Sequence, residues 1–351
     1  MPVAVRRTGM RWRVCLLVAL VFLGGSGVRA APNPQAVGRR AFVSNEFGGD
    51  ITIIDTQSDQ IVGRLVVGPP GIARPRGLAL SPDGRTVYVA VTDPWPKRKS
   101  EWEFYMAVDV ASGRIIGKYP CGSDPERLTI TPDGRRMYCS NEDEANVTAV
   151  DLRTNRILAT IPTGIEPEGV GVSPDGRWVY VTSETSHTVT VVDTRTNEAT
   201  KHILVGTRPR VVVFAPDGKR AYVSAEIGGT LSIIDPSRHE VTKTITLGAD
   251  AKPVGIAVSP DSKRVYVVGG RCNCVFVVDA QADRVIAQVK ERMGRRPWGV
   301  AVTPDGRKIY TANGRSDDVT VIDAARMSVI RSIKAGRGAH SIQIRPQGDG
   351  N

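Results

Sequence analysis

The feature that most constrains the fold of this chain is a short turn sequence that returns at an almost constant interval. Pro-Asp-Gly, preceded by Ser, Thr or Ala, is found in five copies, and Pro-Asp-Ser and Pro-Gln-Gly are altered sixth and seventh copies. The prolines of the seven copies lie at positions 82, 132, 174, 216, 260, 304 and 346. Successive copies are therefore 42–50 residues apart, which is typical of folds built from one repeated supersecondary unit.

Each repeat predicts four short strands, which we call a, b, c and d in chain order. Strand a alternates, as in residues 169–172, and the Pro-Asp-Gly turn then reverses the chain because Pro presets φ and Gly accepts a positive φ. Strands b and c are exemplified by residues 179–182 and 189–192, and strand d by residues 157–161. Four antiparallel strands in a unit of about 40–45 residues are the pattern of a β-propeller blade.

Both strand a and strand b occur seven times in the sequence. Strand b is predicted to begin near Ala41, Val87, Met137, Val179, Ala221, Val265 and Ile309. Since the chain starts with b, c and d and ends with an isolated strand a (341–345), we expect that last strand to complete the first blade and hide two exposed strand edges. The prediction is an all-β protein with a single closed seven-bladed propeller over residues 41–346 and a short tail over 347–351.

The first thirty residues have the order of a secretory signal. Four Arg and no acidic residue precede an apolar run from Val14 to Leu23, and small residues then lead to Ala30. We expect cleavage near Ala30, a short segment over 31–40, no membrane span after cleavage, and a periplasmic or secreted protein. The formal charge of +11 falls to +6 without residues 1–30, because they contain five Arg and no acid. Nucleic acid is consequently an unlikely partner class by composition.

Tyr-Val-Thr-like strands followed by Val-Ile-Asp and Pro-Asp-Gly, as at Val43-Ser44-Asn45 and Tyr180-Val181-Thr182, resemble the YVTN family of bacterial β-propeller repeats. The resemblance covers residues 40–346. Within this family, the chain is most similar to the propeller proteins associated with PQQ-dependent catabolism. It implies a non-catalytic accessory role in periplasmic quinoprotein alcohol oxidation. The implied partners are a quinoprotein dehydrogenase or its electron-transfer or transport components. It supplies no active-site residues.

A recurrent Asp ends strand c in every repeat, and another follows the proline in six of the seven turn copies. An acidic ring is one interpretation of this series, but a carboxylate at such a place can accept hydrogen bonds from the backbone N–H groups of its own turn. We therefore predict a structural role for Asp55, Asp109, Asp151, Asp193, Asp235, Asp279 and Asp323.

The crossovers that precede strand a differ from blade to blade, and function usually lies in varied loops on a constant scaffold. Strand a should be innermost, so the residue after each crossover proline should ring the mouth of the central channel. The predicted ligand or partner site at this mouth comprises Arg76, Glu126, Arg127, Glu168, Arg210, Trp298 and His340. A polar or anionic ligand with Trp298 as an apolar wall is one interpretation. Mutually paired surface charges are the other.

Carboxylates also follow strand b, at Glu46, Glu142, Glu184 and Glu226, where they can lie around the same mouth. They leave open an alternative in which the protein is a lactonase-like hydrolase that uses Glu126, Glu168 and a bound metal. A weaker alternative is a binder of anionic polymers through Arg74, Arg76, Arg208 and Arg210.

The longest repeat step arises from an insertion between strands b and c, at about residues 92–104. It contains the predicted partner-docking residues Trp95, Lys97, Arg98, Trp102 and Phe104. Aromatic and basic side chains together are common in interfaces, but they also pack a loop onto its own blade.

Four cysteines remain after residue 30. Cys121 and Cys139 are predicted to lie toward the varied face, where a disulfide is plausible in an exported protein. Cys272 and Cys274 form a C-x-C pair that can close a bridge, bind a soft metal weakly or remain free. Motifs for covalent haem, nucleotides and dinucleotides are missing, and no catalytic residues or cofactor are predicted. The sequence favours a binding or scaffold protein over an enzyme.

Overall fold

The computed structural model describes residues 39–94 and 102–344. These residues form seven sheets, and each sheet is an antiparallel blade of four strands. Within the described residues there is almost no helix, apart from a 3₁₀ turn at Glu142–Glu144. No helix in these ranges is long and apolar enough to cross a membrane.

Blades 1 to 4 contain the first fifteen strands and the last strand of the chain. Blade 1 consists of β1 (Arg40–Asn45), β2 (Asp50–Asp55), β3 (Gln60–Val66) and β28 (Ala339–Ile344). Blade 2 consists of β4 (Arg74–Leu80), β5 (Thr86–Thr92), β6 (Phe104–Asp109) and β7 (Ile115–Tyr119). Blade 3 consists of β8 (Pro125–Ile130), β9 (Arg136–Asn141), β10 (Asn146–Asp151) and β11 (Arg156–Pro162). Blade 4 consists of β12 (Pro167–Val172), β13 (Trp178–Ser183), β14 (Thr188–Asp193) and β15 (Glu198–Leu204).

Blades 5 to 7 follow in sequence without interruption. Blade 5 consists of β16 (Pro209–Phe214), β17 (Ala221–Ala225), β18 (Thr230–Asp235) and β19 (Glu240–Thr246). Blade 6 consists of β20 (Pro253–Val258), β21 (Arg264–Gly269), β22 (Cys274–Asp279) and β23 (Arg284–Val289). Blade 7 consists of β24 (Pro297–Val302), β25 (Lys308–Asn313), β26 (Asp318–Asp323) and β27 (Ser328–Lys334).

The C-terminal strand completes the first blade, as the order of strands in the sequence predicts. β28 pairs antiparallel with β1, with Val43 opposite Ile342 and Ala41 opposite Ile344. The innermost strand of each blade contacts the innermost strands of both neighbouring blades, including β28 with β4 and β24 with β28. The seven-bladed propeller predicted from the repeats is therefore confirmed, and its ring is closed by strands from both ends of the described chain.

The aspartates of the turns have the structural role that the sequence predicts. In blade 4, Asp175 accepts hydrogen bonds from the hydroxyl of Ser173 and from the backbone N–H of Arg177, while Gly176 supplies the positive φ of 73°. Asp151, at the end of β10, accepts from the N–H and hydroxyl of Thr154 at 2.7 and 2.8 Å. These bonds hold the pKa of both carboxyl groups below the ordinary value of 3.8. We call the surface that carries these turns the turn face.

The hydrophobic core consists of layers between neighbouring blades. Between blades 3 and 4, for example, Tyr138 and Val147 pack with Val179 and Val181, and all four side chains are buried. The middle strands of each blade face a neighbour on both sides and are almost continuously buried, as in β10, whereas the outer strands are mostly exposed, as in β11. Burial of these layers is the main stabilising contribution to the ring.

Tyrosines of the b strands link consecutive blades at the turn face. Tyr138 donates to the Asn197 side chain of blade 4 at 2.5 Å, and Tyr180 is hydrogen-bonded to His239 of blade 5 at 2.7 Å. At the closure of the ring, Tyr310 of blade 7 donates to Asp59 of blade 1, which also pairs with Lys308. Asp59 adopts a φ of 55°, so the left-handed backbone of the c–d turn presents its side chain to the adjoining blade.

Candidate functional site

The mouth of the channel lies opposite the turn face, where the innermost strands begin. Hydroxyl groups of the b strands fix several of these first residues through the backbone of the next blade. Ser44 donates to the carbonyl oxygen of Arg76 at 2.7 Å, and Thr182 donates to that of Arg210 at 3.0 Å. Because the carbonyl is held, the side chain of the residue after the crossover proline is directed from a fixed backbone position.

The carboxylates after strand b reach the same mouth because of an unusual crossover conformation. The residue before the proline is left-handed in most blades, with φ of 57° at Glu166 and 59° at Arg208. Its carbonyl oxygen then accepts the N–H of the first loop residue after strand b, Glu184 or Glu226, at 2.8 Å. Positive φ at such residues is uncommon and costs conformational energy, and it is often found at binding sites.

Blades 4 and 5 carry a group of paired charges that we call the paired arc: Glu168, Glu184, Arg210 and Glu226. The Arg210 guanidinium contacts all three carboxylates, including Glu226 at 2.6 Å. Arg208 adds a contact to Glu184 at 2.7 Å, and Arg296 reaches Glu226 at 3.1 Å. The side chains of the four paired-arc residues are at most 10% exposed. The arc is therefore a desolvated ionic cluster and differs from ordinary surface ion pairs.

Two carboxyl groups of the paired arc titrate in opposite directions. Burial raises the pKa of Glu184 to about 9, and the hydrogen bond shared with Glu168 adds to the shift. Burial also disfavours the ionised form of Glu168, but the Arg210 guanidinium outweighs it and the pKa falls to about 2. The two carboxyl groups together hold one proton near neutral pH, because the nearby cations cannot stabilise a second buried negative charge.

A second acidic group lies on blade 3. Glu126 is 1% exposed and pairs with Arg76 at 2.5 Å, and its pKa is raised well above the ordinary value because burial outweighs that pairing. Carboxylate oxygens of Asp124, Glu126 and Glu142 lie within 4.8 Å of one another, as do those of Glu142, Glu166 and Glu184. Either set has oxygen ligands of the type that a divalent cation prefers.

The remaining part of the mouth, formed by blades 1, 2 and 7, contains an open cavity that we call the mouth pocket. Its volume is about 240 Å³. It is lined by Glu46, Phe47, Arg76, Arg296, Trp298, Gly314, Arg315, Gly338, Ala339 and His340. The Trp298 ring is 5.2 Å from the His340 ring, and the guanidinium of Arg296 lies 4.9 Å from the Trp298 ring centre. The mouth pocket thus combines aromatic surface with three guanidinium groups and one carboxylate.

Several buried polar atoms at the mouth pocket have no hydrogen-bond partner among the described residues. They are Nε of Arg76, Nε1 of Trp298 and both ring nitrogens of His340. Burial lowers the pKa of His340 well below its ordinary value of 6.5, and Arg76 and Arg127 lower it further, so the ring is neutral at neutral pH. A neutral imidazole has one donor and one acceptor, and leaving both unpaired in a buried place costs free energy that a ligand can recover.

The structure brings together most of the predicted mouth residues and separates one from them. Arg76, Trp298 and His340 line the mouth pocket, Glu168 and Arg210 belong to the paired arc, and Glu126 pairs with Arg76. Arg127 instead lines the interior of the channel. The charges of blades 4 and 5 are mutually paired, whereas blades 7, 1 and 2 leave a cavity, and the ligand site at the mouth stays a prediction.

Two members of the predicted partner-docking loop are part of the core rather than an exposed surface. Phe104 is buried in β6, and Trp102 packs beside it with ring centres 6.1 Å apart. Lys118 places its ammonium 4.1 Å from the centre of the Phe104 ring. Phe104 is buried and therefore not accessible to a partner, whereas Trp102 is half-buried and its docking role stays a prediction. Trp95, Lys97 and Arg98 lie outside the described residues.

The cysteines are arranged differently from the sequence prediction. Cys121 and Cys139 are free thiols, so the predicted bridge between them is not formed. Both pack in the apolar layer between blades 2 and 3, where burial raises the pKa of each thiol and disfavours the reactive thiolate. Cys272 and Cys274 form a disulfide with their Cα atoms 5.4 Å apart, so these sulfurs are not thiolate ligands for a metal.

Three residues of the mouth pocket were missed by sequence reasoning. Phe47, Arg296 and Arg315 come from loops, and only Arg296 could have been inferred, because it precedes a crossover proline. Phe47 is 44% exposed and reaches the pocket by packing on Gly338, whose φ of 69° and missing side chain leave room for the ring. No local sequence pattern predicts this contact, because the two residues lie at opposite ends of the chain and meet only in the folded ring.

Comparison with known proteins supports the fold and gives its class. The family model of YNCE-like β-propellers matches residues 179–336, and that of the cytochrome D1 haem domain matches residues 127–211. Each match covers less than half of the chain, and the match to the β-propeller model agrees with the fold. No curated protein shows a significant match to the chain.

Solved structures with the same architecture have low sequence identity to this chain. Hydrazine synthase of Kuenenia stuttgartiensis is 24% identical with a TM-score of 0.71, and the match covers 83% of this chain and 94% of that one. A functionally unknown protein from Desulfotomaculum acetoxidans is 18% identical with a TM-score of 0.73, over 88% of this chain and 100% of that one. The dihydro-heme d1 dehydrogenase NirN, in complex with DHE, is 16% identical with a TM-score of 0.64. The match covers 91% of this chain and 77% of that one. At these identities the likeness concerns the fold alone.

Proposed function

We propose that this protein is a non-catalytic binding protein whose mouth pocket holds a small organic anion with a flat apolar portion. The observation that carries the proposal is the set of unpartnered buried nitrogens of Arg76, Trp298 and His340 around one cavity. Guanidinium groups and a neutral imidazole supply donors for a carboxylate, and the Trp298 and Phe47 rings supply an apolar wall. A cavity of about 240 Å³ suits a ligand of about the size of a single substituted ring.

The binding experiment uses benzoate and benzene-1,2,4-tricarboxylate as probes, with benzamide as an uncharged analogue. Isothermal titration calorimetry should detect the carboxylates and show much weaker binding of benzamide. Removing a guanidinium contact by Arg76→Gln should weaken carboxylate binding by about 10-fold to 100-fold, the range expected for a charge-assisted hydrogen bond. Trp298→Leu should weaken all three probes, because it removes the apolar wall without changing the charge.

The matched control is Arg195→Met on the turn face, where Arg195 pairs with Asp193 of its own turn. This variant should bind the probes as the unaltered protein does. Thermal melting of each variant verifies that it is folded. The proposal is wrong if the carboxylates do not bind, or if folded Arg76→Gln and Trp298→Leu bind them with unchanged affinity.

We propose further that the protein works in the periplasm beside a quinoprotein alcohol oxidation system. The YVTN-type repeats and the signal-like residues 1–30 support this assignment. The partner would be a quinoprotein dehydrogenase or its electron-transfer or transport components, and Trp95, Lys97 and Arg98 are the remaining candidates for docking it. Combined Ala substitution of these three residues should reduce binding to a purified quinoprotein alcohol dehydrogenase in surface plasmon resonance. Deletion of the whole insertion is unsuitable, because it removes part of the core around Phe104.

The carboxylate groups of blade 3 favour one second candidate, a metal-dependent hydrolase. Asp124, Glu126 and Glu142 have the spacing for a divalent cation, whereas Glu168, which the sequence also suggested, is engaged by Arg210. Metal analysis of the purified protein and a screen of lactones and esters separate this candidate from a binding protein. The anionic-polymer alternative receives less support, because Arg74, Arg76, Arg208 and Arg210 all face carboxylates.

A further inference from the structure

The interior of the channel contains a cavity of about 80 Å³ below the mouth, separate from the mouth pocket. Residues of all seven innermost strands line it, and most of them are Gly, Val, Leu or Ile. Close approach of the strands keeps it narrow: a Cβ added at Gly77 would lie 2.5 Å from the carbonyl oxygen of Glu126, and one at Gly299 would lie 2.6 Å from that of His340. Ser341 and Gln343 contribute neutral polar groups to its wall.

Arg127 is the one charged residue among those that line this cavity. Its Nε and Nη2 atoms are buried and have no hydrogen-bond partner, and Arg127 forms no ion pair within the described part of the chain. The two nearest carboxylates are already engaged, Glu126 by Arg76 and Glu168 by Arg210. A guanidinium group remains protonated in such surroundings, so the channel holds a buried positive charge without a bonded counter-charge.

Arg127 as a whole is half-buried, and the desolvation of its Nε and Nη2 atoms without a bonded partner costs free energy. Burial lowers the pKa of Arg127, the carboxylates of Glu168 and Glu126 oppose this shift, and Arg76 and Arg210 add to it. The space excludes an aromatic carboxylate. The cavity admits a species of the size of one or a few water molecules, because a cavity volume of about 10–15 Å³ accommodates one water.

We propose that the central channel is a binding site for a small inorganic monovalent anion of the halide type, held by the Arg127 guanidinium. The anion supplies the counter-charge that the protein does not, and it is exchanged through the mouth. The site is distinct from the mouth pocket, so it exists whether or not an organic anion binds there.

The test compares halide with an anion that is too large for the channel. Thermal melting is followed while chloride or bromide replaces gluconate at constant ionic strength. For the unaltered protein we expect Tm to rise by about 2–4 °C and to keep rising with the logarithm of the halide concentration, as it does for a ligand that binds only the folded state. Arg127→Met should lose this dependence, whereas Arg135→Met on the turn face should keep it.

A second measurement does not depend on a variant that folds. Crystals of the unaltered protein grown or soaked in bromide should show an anomalous difference peak within the channel beside Arg127. A Tm that is the same in gluconate and halide, together with an empty or water-filled channel in the bromide data, would overturn the proposal. Equal halide dependence in Arg127→Met and the unaltered protein would also overturn it, because the anion would then bind elsewhere.

Discussion

The two faces of the propeller use the same kinds of charged residues in opposite ways. On the turn face most Asp side chains accept hydrogen bonds from N–H groups, and often hydroxyl groups, two or three residues away, as Asp175 does from Ser173 and Arg177. At the mouth, contacts cross from blade to blade, as between Arg210 and Glu168, and some buried groups have no partner among the described residues. A carboxylate satisfied within its own repeat can be copied in every repeat. A carboxylate whose partner lies on a neighbouring blade cannot be copied without that partner. This difference explains why the turn face is uniform and the mouth is varied.

The largest expected effect comes from breaking the paired arc. Arg210→Met should lower the free energy of unfolding by about 3–5 kcal/mol, because Glu168 and Glu226 lose the cation between them. Urea unfolding followed by circular dichroism measures the change. Adding Glu168→Gln and Glu226→Gln should restore most of the loss, since the charges are then removed together. On the turn face, Asp175→Asn should cost only about 1 kcal/mol. Equal effects from the two single variants would contradict the distinction between the faces.

An intermediate effect is expected where the turn face itself depends on another blade. Asp59 accepts from Tyr310 and Lys308 across the closure of the ring, unlike the strand-c aspartates. Asp59→Asn keeps a residue that tolerates positive φ and removes the negative charge, so it should lower the unfolding free energy by about 1–2 kcal/mol. Asn197→Ser, at the equivalent turn of blade 4, is the comparison and should cost less. Calorimetric melting that ranks the two variants in the reverse order would show that closure is not specially dependent on this contact.

The smallest effect is a difference in pH dependence between the two faces. Turn-face carboxyl groups such as Asp133 and Asp175 have pKa values below 3.8, so their contribution is present above pH 3.8 and lost as the pH falls through the folded-state pKa. Glu184 is shifted the other way, from 4.5 to about 9. The folded state therefore binds more protons than the unfolded state between these values, and stability should decline as the pH rises from about 4.5 to 9.

Urea midpoints measured between pH 5 and pH 9 test the contribution of Glu184. Glu184→Gln should reduce the decline across this range. If the variant retains the full alkaline decline, Glu184 is not the group responsible. Asp133→Asn should have the converse effect, a small change confined to the acid limb.

The fold could be predicted from the sequence because every blade repeats the local information that specifies it. The Pro-Asp-Gly turns, the alternation of strand a and the isolated last strand lead to seven blades and to the pairing of β28 with β1. The positions of Arg76, Trp298 and His340 at the mouth followed from the same repeat, since they occupy equivalent places after the crossover.

Interactions between blades could not be predicted in the same way. Whether Arg210 meets Glu226 or remains free depends on the relative placement of two sheets, and the sequence shows only that both residues belong to the mouth. The cysteine prediction failed for a related reason: proximity of Cys121 and Cys139 in the fold was inferred, but the structure buries them as thiols. The tyrosine contacts between blades had a signal that was overlooked, a Tyr near the start of strand b in six repeats.

The pairing of β28 with β1 has a consequence for how the protein is made. A ribosome synthesises β1 first among these strands and β28 last, so blade 1 lacks its innermost strand while the other six blades are synthesised. Folding of the middle blades can proceed from neighbour to neighbour, but the ring cannot close until residues 339–344 have been released. A chain interrupted by premature termination would keep an unpaired β1 edge that quality-control factors can recognise, and closure of the ring thereby reports that synthesis reached its last strand.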